Sequence, residues 1–305
     1  MIEVGKTITL AQDLEERKQE SLMELMKDPE IHSFVNDNHL DFSLVSDYWA
    51  ELLSFEEDHL PCHGCQGIEN CPKISKGLCK TLSVADGMIT TPLGYCAFGK
   101  DKEKESQILS RFQYNNVSTT IALTNLLETS LVKNAASLSS VSQKALTKVL
   151  AYNEKPGGPG LFLYDHSGST DKTILMAGLM NALARKGYKI GICQFPFFLL
   201  DMKASFGSSD EAYLNRIMDV PYLLLDGIGE ENITNWSRDE VLLTILSYRA
   251  LNNLPTFMTS MYSMDELKVV YTLKRSDKTD KLRAMTLVSK MKALCQEIML
   301  DSKNL

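Results

Sequence analysis

Gly160-Leu-Phe-Leu-Tyr-Asp-His-Ser-Gly-Ser-Thr-Asp-Lys-Thr173 is the stretch that decides the fold. It reads as a short apolar strand (Leu161 to Tyr164), a tight loop, and the first turn of a helix striped with Leu, Met and Ala. Strand, loop and helix with Lys-Thr at the helix start is the layout of a phosphate-binding loop. In such a loop, backbone amides and the helix N-terminus cradle phosphates, the Lys reaches the β- and γ-phosphates, and the hydroxyl holds Mg²⁺. The glycines of that pattern fall on His166 and Asp171, so it fails at both. Gly168 is left as the glycine able to serve a shifted loop, with Lys172 and Thr173 as candidate nucleotide-binding residues.

Downstream, strand and helix patterns alternate, which predicts a parallel sheet wrapped by helices, an α/β fold. Helices are expected over 172–185, 197–204, 210–218, 236–251, 264–270 and 283–295, and strands over 190–195, 221–226, 256–260 and 297–300. Pro221-Tyr-Leu-Leu-Leu-Asp226 is an apolar strand ending in an acid, the Walker B layout, and it places Asp226 beside the loop where it can position Mg²⁺. A Walker-like loop and a Walker-B-like strand in one domain say more together than either does alone.

Upstream, three helical segments are expected over 10–28, 31–40 and 44–55. Cys62-His-Gly-Cys65 follows, a knuckle that presents two thiolates to one tetrahedral zinc ion. Cys71, Cys79, Cys96, His59 and His63 compete for the other two places. Lys100-Asp-Lys-Glu-Lys-Glu105 opens a charged, then polar stretch that reads as a linker. Pro156-Gly-Gly-Pro-Gly160 punctuates the chain before the loop strand. The expected organisation is a mainly helical zinc-binding domain over 1–100, a linker over 101–140, and an α/β domain over 141–305.

Composition narrows the function classes. The chain has 305 residues, 44% hydrophobic and 23% charged, ordinary globular material in an amount that suits two domains. A net charge of −7 supplies no global basic field, so any DNA contact is expected to be local or made within an assembly. The N-terminus lacks a secretory pattern, and no apolar run reaches the roughly 18 residues a membrane span needs. A cytoplasmic protein is expected, and its seven cysteines point to metal or free thiols rather than disulfides.

Leu225-Asp-Gly-Ile-Gly-Glu230, Trp236-Ser-Arg-Asp-Glu-Val241, Leu254-Pro-Thr-Phe257 and the cysteine spacing resemble the DnaI family. These are Gram-positive loaders of the replicative DNA helicase, with a zinc domain joined to an AAA+ domain. The resemblance implies Cys62, Cys65, Cys79 and Cys96 as zinc ligands, Cys79 standing where the family has His, and leaves Cys71 out. It implies a replicative helicase as partner, with other primosome proteins, single-stranded DNA bound only weakly or within an assembly, and no membrane. It also exposes departures at the nucleotide site. The family's second Walker B acid is Gly227 here, its sensor Asn is Met261, and two helix arginines are Thr286 and Lys290. Asp226, Gly227 and Met261 are therefore a degenerate catalytic set, with Gly168, Lys172, Thr173, Asp226 and Lys290 left to hold ATP and Mg²⁺ weakly. The expected function is a loader, or a loader-like primosomal adaptor, with impaired ATP hydrolysis rather than an enzyme in full. An ATP-switched loader and a transposition-helper-like ATPase are the other readings, and the zinc-bearing first hundred residues count against the latter.

Overall fold

The computed structural model describes residues 15–204, 210–274 and 277–301. The chain divides into two units, Met1–Lys104 and Glu105–Leu305.

In the first unit, four helices (α1, 15–25; α2, Pro29–Asp37; α3, Phe42–Asp47; α4, Trp49–His59) enclose a small core of Leu22, Leu25, Ile31, Val35, Val45, Leu52 and Phe55. Asp28 caps α2 by accepting from the amides of Glu30 and Ile31, and Pro29 follows at the first helical position, where a missing N–H costs nothing. Asp41 caps α3 through the Leu44 amide. Two β-ribbons come next: β1 (Leu78–Lys80) pairs antiparallel with β4 (Leu93–Tyr95), and β2 (Ser83–Ala85) with β3 (Met88–Thr90). Asp86-Gly87 makes the tight β2–β3 turn with φ of 52° and 76°, the left-handed pair that a two-residue hairpin demands. Ile89 carries this ribbon into the helical core. The unit is therefore part helix and part ribbon, where the sequence predicted mostly helix. Ribbons of three residues are too short to show a period.

The second unit is built on a six-stranded parallel sheet, in spatial order β10 (Cys295–Met299), β6 (Gly160–Tyr164), β9 (Thr256–Ser260), β8 (Tyr222–Asp226), β7 (Ile190–Gln194) and β5 (Phe112–Asn115). Its longer α-helices are α5 (Ala97–Leu109, inside which the two units divide), α6 (Ser140–Glu154), α7 (Asp171–Arg185), α8 (Phe195–Ala204), α9 (Asp210–Met218), α10 (Leu243–Leu251), α11 (Met264–Val270) and α12 (Lys278–Leu294). Two apolar clusters form its core. One gathers Phe195, Phe198, Leu225, Ile245 and Val288; the other gathers Leu126, Leu146, Leu163, Met176 and Phe257. This is an AAA+ architecture, and it puts the loop after β6 beside the carboxyl ends of β8 and β9.

The linker expected over 101–140 is corrected by the structure. Within it, β5 forms the sixth strand, and Asn116 extends the edge by exchanging side-chain hydrogen bonds with the Gln194 backbone (3.0 and 2.7 Å). The Asn181 side-chain amide donates to the Ala122 carbonyl at 3.0 Å, and Leu126 is buried. A Cβ on Gly178 of α7 would lie 3.0 Å from the Leu126 Cα, so the small residue is what lets this segment lie against α7. A four-residue edge strand with half-polar side chains carries too little apolar signal to be seen in the sequence. Among the described residues, no helix is long and apolar enough to cross a membrane.

Candidate nucleotide site and cysteine cluster

The six residues 165–170 join β6 to α7. Lys172 lies in the first turn of α7 and is only 4% exposed; its ammonium turns back and donates to the carbonyls of Ser169 (3.0 Å) and Asp165 (3.3 Å). The Thr173 hydroxyl donates to Asp226 Oδ1 at 2.7 Å, so helix start and Walker-B-like strand end are locked together. Thr259 on β9 donates to the same oxygen at 2.6 Å and accepts from the Gly227 amide at 3.0 Å. Burial pushes the Asp226 carboxyl above its ordinary range, and the two hydroxyls and Lys172 pull it part of the way back. The Glu230 carboxyl is pushed up by partial desolvation and by the Asp226 charge.

Gly168 turns the loop with φ of 71°, and the Met261 methyl lies 3.7 Å from where its Cβ would be. Gly227 has φ of 78°, a conformation in which an acidic side chain would be strained. His166 points its Nε2 to within 3.8 Å of Glu266 at the start of α11. Gly168, Lys172, Thr173, Asp226, Gly227 and Met261 thus gather around one loop. Lys290 sits half-buried on α12 with no hydrogen bond or ion pair to the loop among the described residues, and the Thr286 hydroxyl donates back to the Leu282 carbonyl of its own helix.

Asp165 was not foreseen. It is 3% exposed, and its carboxylate accepts from the amide (2.9 Å) and hydroxyl (2.6 Å) of Ser167. The Asp165 amide in turn donates to the Ser260 carbonyl of β9 at 3.2 Å. An acid directly after a buried strand was the available signal. The loop as it stands does not fit a polyphosphate, because a buried carboxylate lies among the groups that should receive one. Thr173 and Asp226 are a suitable pair for Mg²⁺.

In the first unit, Cys62, Cys65, Cys79 and Cys96 all line one cavity of about 420 Å³. Cys65 closes the knuckle by donating its amide to the Cys62 carbonyl (3.1 Å), and pairing of β1 with β4 brings the Cys79 strand beside the Cys96 end. The Gly99 amide donates to Cys96 Sγ at 3.2 Å, the kind of bond a thiolate ligand accepts. His59 is otherwise engaged: its Nε2 lies 2.8 Å from the Lys80 carbonyl and its ring lies tilted against Phe55, centroids 4.1 Å apart. Cys71 and His63 do not line the cavity. Among the described residues, no group of three or more His, Cys, Asp or Glu side chains has the geometry to hold a metal ion as it stands.

The replicative helicase loader DnaI of Bacillus subtilis (strain 168) is 30% identical to this protein over 302 residues, 97% of this chain and 96% of that one. The chain belongs to the DnaI family of replicative helicase loaders. A crystal structure of DnaI matches with 27% identity and a TM-score of 0.54, covering 62% of this chain and 97% of that one. A primosome component of Streptococcus pyogenes serotype M3 matches with 26% identity and a TM-score of 0.53, covering 66% of this chain and 98% of that one. No protein-family model matches the chain. The positions at which the chain departs from the pattern that the resemblance implies, the loop, Gly227 and Met261, all fall within the one gathered site.

Proposed function

We propose that this protein is a replicative-helicase loader, or a loader-like primosomal adaptor, whose ATP hydrolysis is impaired. Identity to a helicase loader that reaches across both units carries the reading. A replicative helicase is the partner it calls for, with other primosome proteins alongside. Single-stranded DNA would be held only within the assembly, since the chain's net charge of −7 gives it no attraction for phosphate of its own. The place of work is the cytoplasm.

Impairment is supported at three points. Gly227 supplies no acid to orient an attacking water, and a thioether at Met261 cannot donate a hydrogen bond to a phosphate. Lys290 offers one charge where a forked guanidinium would grip two oxygens. The contact of Thr173 with Asp226, beside Lys172, favours the second reading, an ATP-switched loader. Association with the replicative helicase of the same organism, followed by size-exclusion chromatography with light scattering, separates them. The expected result is a complex formed equally by the wild-type chain and Lys172→Ala, with or without Mg-ATP. Nucleotide-dependent association lost in Lys172→Ala would establish the switch, and no complex at all would remove the loader reading.

In the first unit, Cys62, Cys65, Cys79 and Cys96 would hold one structural Zn²⁺, supported by their shared cavity and the amide directed at Cys96. Such an ion would supply folding energy that a core of so few buried side chains lacks. Metal analysis should find about one zinc per chain, and Cys62→Ser/Cys65→Ser should lose both the zinc and the first unit's helical signal. Retention of zinc by that variant would exclude this ligand set.

A further inference from the structure

We propose that Asp165 is a built-in anion, which takes the place of a nucleotide phosphate in the β6–α7 loop and keeps nucleotide out. The inference rests on the reading that this site is not an ATP switch, and it names the device responsible. A phosphate loop works because its amides and its Lys point inward with nothing of their own to satisfy them. Here alternate amides and the Lys are already engaged. The Ser167 amide and hydroxyl go to the Asp165 carboxylate at 2.9 and 2.6 Å. The Ser169 amide goes to the Ser167 hydroxyl at 3.2 Å, and the Asp171 amide to the Ser169 hydroxyl at 3.0 Å. The Lys172 ammonium, almost fully buried, closes on the carbonyls of Ser169 and Asp165. Alternate amides of the loop, and the cation that should meet the γ-phosphate, are held by the loop itself.

Position makes the carboxylate decisive. Asp165 follows the last residue of β6, its amide is fixed to the Ser260 carbonyl of β9, and it is 3% exposed, so it has no route to swing into solvent. A buried carboxylate is retained only when hydrogen-bonded, and Ser167 meets that need. A polyphosphate entering the loop would have to strip those bonds and sit against a second negative charge in a poorly screened place. Met261, against Gly168, further closes the loop from the β9 side. The two serines that complete the arrangement, Ser167 and Ser169, are part of the same device, since each offers a hydroxyl to an amide two residues on.

The test is a gain of function. Full-length wild-type protein, Asp165→Asn and Asp165→Gly are titrated with a fluorescent ATP analogue and Mg²⁺ by anisotropy, and their melting temperatures are recorded with and without millimolar Mg-ATP. Wild type is expected to show neither binding nor a thermal shift. Asp165→Asn, which keeps the shape and the acceptor but loses the charge, should gain at least about tenfold in affinity, and Asp165→Gly about a hundredfold. Both gains should vanish when Lys172→Ala is added. Wild-type binding as tight as that of Asp165→Gly would overturn the proposal, as would variants that melt like wild type without ligand yet gain nothing. Should Asp165→Gly fail to fold, the isosteric Asn variant decides alone. Helicase association measured on the same preparations keeps the two readings apart: its absence would strike the loader function and leave the loop's result standing.

Discussion

Asp226 sits where burial disfavours its charge. Burial raises its carboxyl, and only two hydroxyls and the neighbouring Lys172 oppose that shift. A carboxyl whose folded pKa lies above its unfolded value contributes stability that is fully present below the unfolded pKa. That stability is lost as pH rises through the folded one. At neutral pH Asp226 is thus a cost to the fold. Asp226→Asn keeps an oxygen for Thr173 and Thr259 and removes that cost, so it should raise the melting temperature by a few degrees at pH 7. The advantage should shrink toward nothing as pH falls below the ordinary Asp range. Thermal melts across pH check this, and a variant that melts lower at every pH would show that the charge itself holds the loop and strand together. Lys172, Thr173 and Asp226 were legible in the sequence because a Walker-like loop and a Walker-B-like strand in one domain pointed to each other. Asp165 and Thr259 were not. Their importance lies in burial and in a hydrogen bond across strands, neither of which has a spacing to read.

For the elements, the tightest constraint is where β6 enters the sheet. A Cβ on Gly160 would lie 1.7 Å from the Thr256 carbonyl oxygen of β9, so β6 and β9 can approach only because Gly160 has no side chain. Gly160→Ala should therefore cost about 3 kcal/mol or more, since the clash is with backbone that cannot rotate away. Urea melts of the variant would reveal the loss, and an unchanged midpoint would mean the strands can slide. The same end of the sheet is tied by Arg249 of α10, fully buried, which donates to Val220 (2.7 Å), Met218 (3.0 Å) and Pro255 (2.7 Å) carbonyls and to the Thr256 hydroxyl (2.8 Å). One side chain thereby satisfies the carbonyls that lead into β8 and β9. Strands β6 and β8 were readable as continuous apolar runs between turn residues. Helix α12 was seen only from Arg283, while it begins at Lys278. Its first turn is polar, and it is fixed by Asp280 accepting from the Lys274 amide (2.8 Å) and from Arg238 (2.8 Å), a partner distant in sequence.

At the scale of the molecule, composition and punctuation predicted two domains but put the start of the second at 141, and the structure divides at 104/105. The difference is physical. Residues 105–140 look like a linker because they are polar and broken into short turns, yet they supply an edge strand, the Ala122 carbonyl that receives Asn181, and the buried Leu126 and Leu131. A fragment beginning at 141 would strip β7 of its outer neighbour and leave Ile190 and Ile192 behind an open edge. It would also bare the apolar groove on α7 where Leu126 lies against Gly178. Burying apolar surface contributes about 25 cal/mol per Å², so uncovering two leucines and a strand edge removes several kcal/mol, a large part of the stability of a domain this size. A fragment over 105–305 should melt cooperatively, within a few degrees of the corresponding transition in the full chain. A fragment over 141–305 should aggregate or melt at least about 10 °C lower. Equal melting temperatures for the two would return 105–140 to the status of a linker, and failure of both to fold would mean that the second unit needs the first.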